Sequence, residues 1–486
     1  MNLKLPRCMG TQHPDNVNPP FFAESPELGG EDEVQEAFYS FSHLGCDEQM
    51  WDCEGKEVDD FVVRKLLTKY EYFFREKILG KDIFLTLRVP NPLVEKAEAK
   101  ILLETLESIP RSFDASKLFY NDDHPPIFEV ILPMTTSYLC LERVYRYYCN
   151  FVVGKQNKPC YDGDITIAEW IGEFKPERIN VIPLFEDMEH MLDSHNITRD
   201  FLKNKKVDYQ RVFLARSDTA MNYGFISALI LNKIALYKLH KLSEETGINI
   251  YPILGVGSAP FRGNLRPQTI DRISNEYPSV HTFTIQSAFK YDNPPDIVRE
   301  AINKLRERNI SVPHELDENK CMEIIKKYIQ EYRKQLIELA PIINKVAKFV
   351  PSRRKRKLHI GLFGYSRNVE GITLPRAITF TCAQYSIGVP PEILGLTALN
   401  KEDIKFIKEC YINFEDDLRD ALKFVNLKSK FIPEELKRKI NDLLNFEINE
   451  EHEKIVDLSI KALEENKLDD VKNHILRAAQ LRRFLG

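Results

Sequence analysis

Two carboxylates, Glu186 and Asp218, stand at or just beyond the ends of apolar runs of the kind that form buried strands. Glu186 follows the run 182–185, and Asp218 comes shortly after the run 212–214. A parallel strand that is buried on both faces is nearly all apolar, so an acid at its carboxyl end marks the face of an α/β fold where ligands bind. Mg²⁺ and Mn²⁺ prefer oxygen ligands, and Mg²⁺ typically takes only one or two carboxylates. The pair therefore predicts a divalent-metal site, the alternative being that each acid caps the helix that follows it.

Several arginines also lie in or beside loops that contain glycine, serine or proline, rather than in charged stripes of helices. They are Arg88, Arg216, Arg262, Arg367 and Arg376. A planar guanidinium offers two parallel N–H donors that match two oxygens of a phosphate or a carboxylate. A single arginine is more often a surface ion-pair partner, but five near one predicted face favour a substrate with more than one anionic group.

His13 lies among polar residues near the N-terminus, next to Pro14. A histidine that titrates near neutral pH can act as a general base or as a hydrogen-bond donor. Taken alone, a histidine in this setting is more often an ordinary loop residue.

The segment 253–264, ILGVGSAPFRGN, has the glycines that allow backbone N–H groups to approach an oxyanion. It does not follow the GxGxxG pattern, and it lacks the lysine of a P-loop. The sequence therefore gives little support to nucleotide binding.

Elements that could position these residues are predicted from apolar runs bounded by turn residues. Eight such runs predict strands at 38–44, 83–87, 127–132, 179–185, 212–214, 250–256, 282–285 and 358–363. Helical patterns lie between most of them, for example 61–76, 97–106 and 222–245, and Gly247 is suited to end the last of these. The alternation predicts an α/β fold, a (β/α)₈ TIM-type barrel with helical insertions.

Three regions are predicted along the chain. Residues 1–30 form an N-terminal segment that contributes to the active site, 31–395 the catalytic barrel, and 396–486 an appended C-terminal helical region rich in lysine and glutamate. The first strand is the least regular of the eight in its period.

The composition is that of a large globular protein: 486 residues, 43% hydrophobic and 29% charged, with a net charge of −5. No apolar window is long enough to span a membrane, and no signal peptide is evident, so we expect a cytoplasmic protein without a membrane partner. Nine cysteines without CxxC spacing predict reduced thiols. A zinc site near Cys46 and Cys53 is conceivable, but their spacing matches no usual pattern.

A basic run at 353–357, RRKRK, admits a second interpretation as a nucleic-acid patch. No helix-turn-helix, RNP or zinc-finger pattern accompanies it, and the whole chain is acidic. We therefore interpret the run as a solvated loop or helix end and expect no nucleic-acid partner.

A set of longer stretches occurs together in one enzyme family. They are TQHPDN (11–16), FSHLGCDEQMWDCEGKEVDD (41–60), LTLRVPNP (85–92), LLETLESIPRSFD (102–114), IFEVILPMT (127–135), PLFED (183–187), ARSDTAMNYG (215–224), GVGSAPFRGNL (255–265), QSAFKYD (286–292), FGYSR (363–367) and LPRAI (374–378). With these stretches the chain resembles archaeal-type phosphoenolpyruvate carboxylase over nearly its whole length.

The resemblance implies a barrel enzyme, a carbon–carbon lyase that makes oxaloacetate and phosphate from phosphoenolpyruvate and bicarbonate, an anaplerotic fixation of CO₂. It also implies Mg²⁺ or Mn²⁺ as cofactor, a path through carboxyphosphate and a metal-bound enolate, and a cytoplasmic homotetramer.

The resemblance also assigns roles to individual residues. Glu186 and Asp218 resemble the metal carboxylates, and His13, Arg88 and Arg262 resemble catalytic residues. Arg376 resembles a substrate-binding arginine, and Arg216 and Arg367 are candidates for the same role.

Two departures from the long bacterial and plant forms stand out. Leu254 and Val256 occupy positions where those forms have a histidine and an arginine, and the chain ends in RRFLG without their QNTG. Two other functions remain open from the sequence: another metal-dependent barrel enzyme acting on phosphoenolpyruvate or pyruvate, and an RNA-binding or scaffold protein using the basic run.

Overall fold

The computed structural model describes residues 5–55, 59–96, 99–355, 367–369 and 371–486, with the backbone alone for 367–369. Eight parallel strands form a closed barrel in which each strand pairs with the next and the last pairs with the first. The strands are β1 Cys8–Gly10, β2 Glu48–Asp52, β3 Phe84–Arg88, β4 Glu129–Leu132, β5 Asn180–Phe185, β6 Tyr209–Ala215, β7 Asn249–Gly255 and β8 Thr282–Ile285. The predicted (β/α)₈ barrel is therefore confirmed.

Six of the predicted strands correspond to β3–β8, and the first predicted strand is wrong. Residues 38–44 lie mostly in a helix, Glu31–Ser42, whose buried Val34, Ala37 and Phe41 recur at helical spacing. The predicted strand 358–363 lies outside the described residues, and the barrel closes without it.

The two barrel strands that the sequence did not reveal are β1 and β2. β1 has three residues, and β2 begins with two polar residues, Glu48 and Gln49, that are both buried. A search for apolar runs cannot find a strand of this kind. Because β1 lies at residues 8–10, the barrel begins before the predicted boundary at residue 31, and the boundary at 395 stays a prediction.

The helices surround the barrel and continue beyond it. In the described ranges they are α1 Glu31–Ser42, α2 Val62–Lys69, α3 Glu71–Glu76, α4 Ala99–Tyr120, α5 Tyr138–Tyr147, α6 Ile167–Ile171, α7 Met188–Leu192, α8 Ser194–Leu202, α9 Ser217–Tyr223, α10 Phe225–Thr246, α11 Ile270–Glu276, α12 Ser287–Tyr291, α13 Pro295–Glu307, α14 Glu318–Ala347, α15 Ala377–Ser386, α16 Lys401–Cys410, α17 Phe414–Leu422, α18 Glu434–Leu443, α19 Glu450–Glu464 and α20 Leu468–Arg482. A short antiparallel hairpin, β9 Arg367–Val369 and β10 Ile372–Leu374, precedes α15. Among the described residues, no helix combines the length and the apolar character needed to cross a membrane.

The predicted helices are confirmed with shifted ends. The predicted helix 61–76 is two helices, α2 and α3, and the predicted helix 97–106 extends as α4 to Tyr120. α10 ends at Gly247, which has φ 70° and adopts the left-handed conformation that glycine tolerates without strain.

The C-terminal region packs against the carboxyl-end face of the barrel. Phe484 lies in a buried apolar cluster with Ala259 and Ala288, which follow β7 and β8, and with Tyr385 of α15. Leu485 donates its N–H to the carbonyl of Asp15, at 2.8 Å. The last residues of the chain are therefore next to the face where ligands bind in barrels of this type.

The opposite, amino-terminal end of the barrel contains a buried ionic group. Arg211 of β6 donates to Glu48 of β2 at 2.7 and 2.8 Å and to Glu129 of β4 at 2.8 Å. Arg211 and Glu48 have no exposed side-chain surface. The arginine thus offsets the charge of two carboxylates inside the barrel, far from the ligand-binding face.

Replacing Arg211 by methionine is expected to lower the free energy of unfolding by about 3–5 kcal/mol, because it leaves buried carboxylates without a counter-charge. Denaturant-induced unfolding followed by circular dichroism measures the change. The matched control is Arg146→Met, which removes a largely exposed guanidinium that pairs with Glu142 four positions earlier in the sequence and is expected to cost less than about 1 kcal/mol. Equal midpoints for the two variants would contradict the assigned role of Arg211.

Candidate active site

A cavity of about 320 Å³ opens at the carboxyl ends of the barrel strands, a volume within the usual range for small-molecule sites. Its lining includes most of the residues that the sequence singled out: His13, Arg88, Glu186, Arg216, Asp218, Arg262 and Arg376. The side chain of Arg367, the remaining candidate, lies outside what the structure describes. Residues that are up to 363 positions apart in the sequence therefore meet in one cavity.

Glu186 and Asp218 reach the cavity from neighbouring strands. Glu186 directly follows β5, and Asp218 lies in the first turn of α9, which follows β6; β5 and β6 pair along Leu184–Phe213. Glu186 is buried, and one of its carboxylate oxygens accepts the N–H of Met134 at 2.9 Å. Asp218 is half-buried.

Two carboxylates at one cavity are a donor set that suits Mg²⁺ or Mn²⁺, since Mg²⁺ commonly takes one or two carboxylates and completes its shell with water and substrate. Within the described parts of the chain, no group of three or more His, Cys, Asp or Glu side chains could hold a metal. A fully protein-made metal cage, such as a structural zinc site at Cys46 and Cys53, is therefore not present among those residues.

Arg88 is held by a fork-to-fork contact with Asp52. Its Nε donates to one carboxylate oxygen of Asp52 at 3.0 Å and its Nη2 to the other at 2.7 Å, and both side chains are buried. A carboxylate of Glu54 lies 3.7 Å from the same Nη2. Since Asp52 is the last residue of β2 and Arg88 the last of β3, adjacent strands fix the arginine at the cavity.

Arg262 is surrounded by hydrogen-bond acceptors from four parts of the chain. Its Nε donates to Ser217 Oγ at 3.0 Å, its Nη2 to Gln286 Oε1 at 2.6 Å, and its Nη1 to Asp15 Oδ2 at 3.2 Å and to the main-chain oxygen of Gly486 at 2.7 Å. The guanidinium is 2% exposed. Its orientation is therefore set by the protein before any ligand binds.

The glycine-rich segment supports Arg262 and does not form an oxyanion nest, so that interpretation of the sequence is wrong. The N–H groups of Val256, Gly257 and Ser258 donate within the protein, to Thr284 Oγ1, to the carbonyl of Arg262 and to Asp15, respectively. A Cβ on Gly257 would lie 2.9 Å from the guanidinium carbon of Arg262. Glycine is needed there because the arginine packs against the backbone.

His13 faces the two arginines. Its Nδ1 lies 2.9 Å from Thr11 Oγ1. Burial, together with the positive charges of Arg88 and Arg262, lowers the pKa of His13 to about 3. The imidazole is therefore neutral at physiological pH.

Arg216 and Arg376 line the cavity in different ways. The guanidinium of Arg216 is buried, donates from Nη2 to the carbonyl of Phe225 at 3.0 Å, and lies 5.5 Å from the centre of the Phe225 ring. Arg376 is half-buried and precedes the first turn of α15. Arg376 is thus the more accessible of the two.

Comparison with known proteins identifies the family. The sequence profile of phosphoenolpyruvate carboxylase matches residues 5–486. The chain belongs to the phosphoenolpyruvate carboxylase family. It is 58% identical over 484 residues to the phosphoenolpyruvate carboxylase of Methanothermobacter thermautotrophicus, with 100% of each chain covered. It is 53% identical to that of Pyrococcus furiosus, with 99% of this chain and 100% of the relative covered.

Among solved structures, the Haloferax volcanii malate synthase magnesium/glyoxylate complex aligns with 65% of this chain and 80% of its own, with 10% identity and a TM-score of 0.40. This similarity is too low to support an argument. The sequence relationship, by contrast, confirms the predicted family and its reaction, in which phosphoenolpyruvate and bicarbonate give oxaloacetate and phosphate.

The cavity also contains two arginines that the sequence interpretation placed on the surface. Arg353 and Arg354 are 6% and 4% exposed and line the cavity, so the prediction of a solvated basic run is wrong for both. Arg353 donates to the carbonyl of Val17 at 2.7 and 3.1 Å, and Arg354 pairs with Glu33 and Glu36 at 2.9 Å.

One feature of the sequence indicates that Arg353 and Arg354 do not lie on a charged helix face. α14 ends at Ala347, and Pro351 lies between the helix and the run, so the run belongs to a loop and not to a charged helix face. Glu33 and Glu36 of α1, which pair with Arg354, could not be identified as its partners because they lie 321 and 318 positions earlier in the sequence. Residues 356 and 357 of the run lie outside the described residues.

Proposed function

We propose that this cavity is the active site for the carboxylation of phosphoenolpyruvate, with Glu186 and Asp218 holding Mg²⁺ or Mn²⁺ and with His13, Arg88 and Arg262 as catalytic residues. The observation that supports this assignment is the convergence of both carboxylates, the histidine and the arginines on one cavity at the carboxyl ends of the strands. The anionic substrate suits a lining that includes six arginines.

The metal proposal rests on the donor set. Glu186 and Asp218 supply carboxylate oxygens from adjacent strands, and water and substrate would complete the shell. When bound, the metal would serve as a Lewis acid for the negative charge that develops on the substrate oxygen.

In the first step, bicarbonate attacks the phosphoryl group, and the products are carboxyphosphate and the enolate of pyruvate. Charge spreads over the oxygens of the transferring group, so fixed positive groups lower the barrier. Arg88 and Arg262 are suited to this role because Asp52 and the acceptors around Arg262 orient them in advance. Such preorganisation costs no rearrangement during the reaction.

In the second step, carboxyphosphate loses its proton and breaks down to phosphate and CO₂, which the enolate carbon captures. His13 is the proposed proton acceptor. In the free protein its pKa is held at about 3 by burial and by Arg88 and Arg262. The negative charges of bound substrate oppose those arginines, so the pKa of His13 rises when the cavity is filled.

Arg216, Arg367 and Arg376 are proposed as substrate-binding residues. The best support is for Arg376, which is half-buried at the cavity. For Arg216 the support is weaker, because its guanidinium contacts Phe225. We also propose, from the sequence resemblance, a cytoplasmic homotetramer.

A direct test of the metal proposal is titration of the metal-free protein with Mn²⁺, followed by electron paramagnetic resonance. We expect one site per chain in the wild type and at least tenfold weaker binding in Glu186→Gln, since the amide carries no charge. Glu189→Gln, which changes an exposed glutamate three positions further on, is the control and is expected to bind as the wild type does. Unchanged Mn²⁺ affinity in Glu186→Gln would contradict the assignment of Glu186.

A further inference from the structure

A buried glutamate from outside the barrel contacts the main chain next to Arg262. One carboxylate oxygen of Glu392 accepts the N–H of Phe261 at 2.6 Å and the O–H of Tyr385 at 2.7 Å. Glu392 lies in the short 3₁₀ helix Pro391–Ile393, and Phe261 in the 3₁₀ helix Pro260–Arg262. The side chain has no exposed surface.

This contact connects Arg262 to the region that follows the barrel. The other hydrogen bonds of the 3₁₀ turn are local: the N–H of Arg262 donates to the carbonyl of Ala259 and that of Gly263 to Pro260. The ring of Phe261 lies 5.9 Å from that of Phe380 of α15. Glu392 is therefore the polar contact that fixes the start of the turn relative to α15, where Tyr385 also lies.

We infer that Glu392 is a positioning residue for Arg262, an inference that rests on the catalytic role proposed for that arginine. The guanidinium donates to four separate acceptors at 2.6–3.2 Å. A small displacement of its backbone would break several of these contacts at once. A misplacement of about 1 Å in a catalytic group can cost roughly 100-fold in rate.

The chemistry of Glu392 favours this role over a purely stabilising one. A buried carboxylate carries a desolvation penalty that an apolar residue of similar size would avoid. Burial raises the pKa of Glu392 to about 7, which reflects that penalty. The second carboxylate oxygen has no hydrogen-bond partner among the described residues. The residue therefore contributes through the oxygen that contacts Phe261 and Tyr385.

Arg216 places a positive charge in the interior that acts on Glu392. Its guanidinium donates to the carbonyl of Phe225, and its positive charge lowers the pKa of Glu392 against the larger effect of burial.

Two conservative variants of Glu392 distinguish the effect of its contact with Phe261 from the effect of its negative charge. Glu392→Gln keeps an acceptor oxygen at the same reach but has no charge, whereas Glu392→Asp keeps the charge but is one methylene too short to contact Phe261. The control is Glu276→Asp: Glu276 is equally buried, accepts the N–H of Asn413 at 2.8 Å and pairs with Lys233, and its hydrogen bonds and ion pairs within the described ranges do not involve the 3₁₀ helix Pro260–Arg262. Steady-state kinetics with phosphoenolpyruvate and a thermal melt are measured for each protein.

We expect kcat of Glu392→Asp to fall roughly 10–100-fold with little change in KM, while Glu392→Gln stays within about threefold of the wild type. Glu276→Asp is expected to lower the melting temperature as much as Glu392→Asp does, without the loss in kcat. Wild-type kcat in Glu392→Asp, or an equal loss in Glu392→Gln, would overturn the inference.

The variant Arg262→Met distinguishes a failure of the positioning role inferred for Glu392 from a failure of the catalytic role proposed for Arg262. If Arg262→Met is inactive and Glu392→Asp is fully active, the positioning role of Glu392 is overturned while the role of Arg262 stands. If Arg262→Met is itself active, the proposed role of Arg262 fails, and the inference fails with it.

Discussion

Replacing Asp218 by asparagine is expected to lower kcat/KM by at least 1,000-fold at millimolar Mg²⁺, while the protein stays folded. The amide has nearly the same shape as the carboxylate but no negative charge, and a hard divalent cation prefers charged oxygen ligands. Loss of the metal would remove the positive charge that offsets the developing enolate, a contribution of several kcal/mol to the barrier. A coupled assay for oxaloacetate measures the effect, and circular dichroism verifies the fold.

The control for this prediction is Asp187→Asn. Asp187 lies next to Glu186, but its side chain caps α7, accepting the N–H of His190 at 3.0 Å. It is not among the residues that line the cavity. We expect this variant to keep most of its activity. A folded Asp218→Asn enzyme with normal turnover would remove Asp218 from the metal site.

Replacing Arg88 by lysine is expected to lower kcat by about 100–1,000-fold, the usual effect of removing a preorganised charge-stabilising donor. A lysine keeps the positive charge but presents a single ammonium group, so it cannot contact both oxygens of Asp52 and the substrate together. The measurement is steady-state kinetics with phosphoenolpyruvate and bicarbonate varied independently.

Arg75→Lys is the matched control, because Arg75 is half-exposed and its ion pair with Glu71 lies on the helix surface. It should leave kcat and KM unchanged. If Arg88→Lys retains wild-type kcat, the two-point contact with Asp52 is not what positions the catalytic charge.

The strand-end residues of the site could be predicted from the sequence because each acid comes after an apolar run, 182–185 in β5 and 212–214 in β6. Glu186 and Asp218 were identified on that basis, and both line the cavity. The strands that the sequence did not reveal are β1, which has three residues, and β2, which begins with two buried polar residues. Glu48 of β2 is buried and pairs with Arg211 of β6, and a pairing between residues 163 positions apart is not visible in a local pattern.

The surroundings of the site were harder to predict for a related reason. Arg353 and Arg354 form a basic run that usually lies in solvent, and their burial depends on Val17, Glu33 and Glu36 from the start of the chain. The contact of Glu392 with Phe261 likewise joins distant segments. Long-range partners of this kind become evident only in the folded chain.

Product analysis tests most directly whether the protein carboxylates phosphoenolpyruvate in this cavity. The purified protein is incubated with phosphoenolpyruvate and Mg²⁺, with and without bicarbonate, and oxaloacetate is followed by its coupled reduction to malate. We predict oxaloacetate formation that depends on bicarbonate and is absent in Asp218→Asn. Pyruvate as the sole product of the wild-type protein, or oxaloacetate formation that Asp218→Asn leaves intact, would contradict the account.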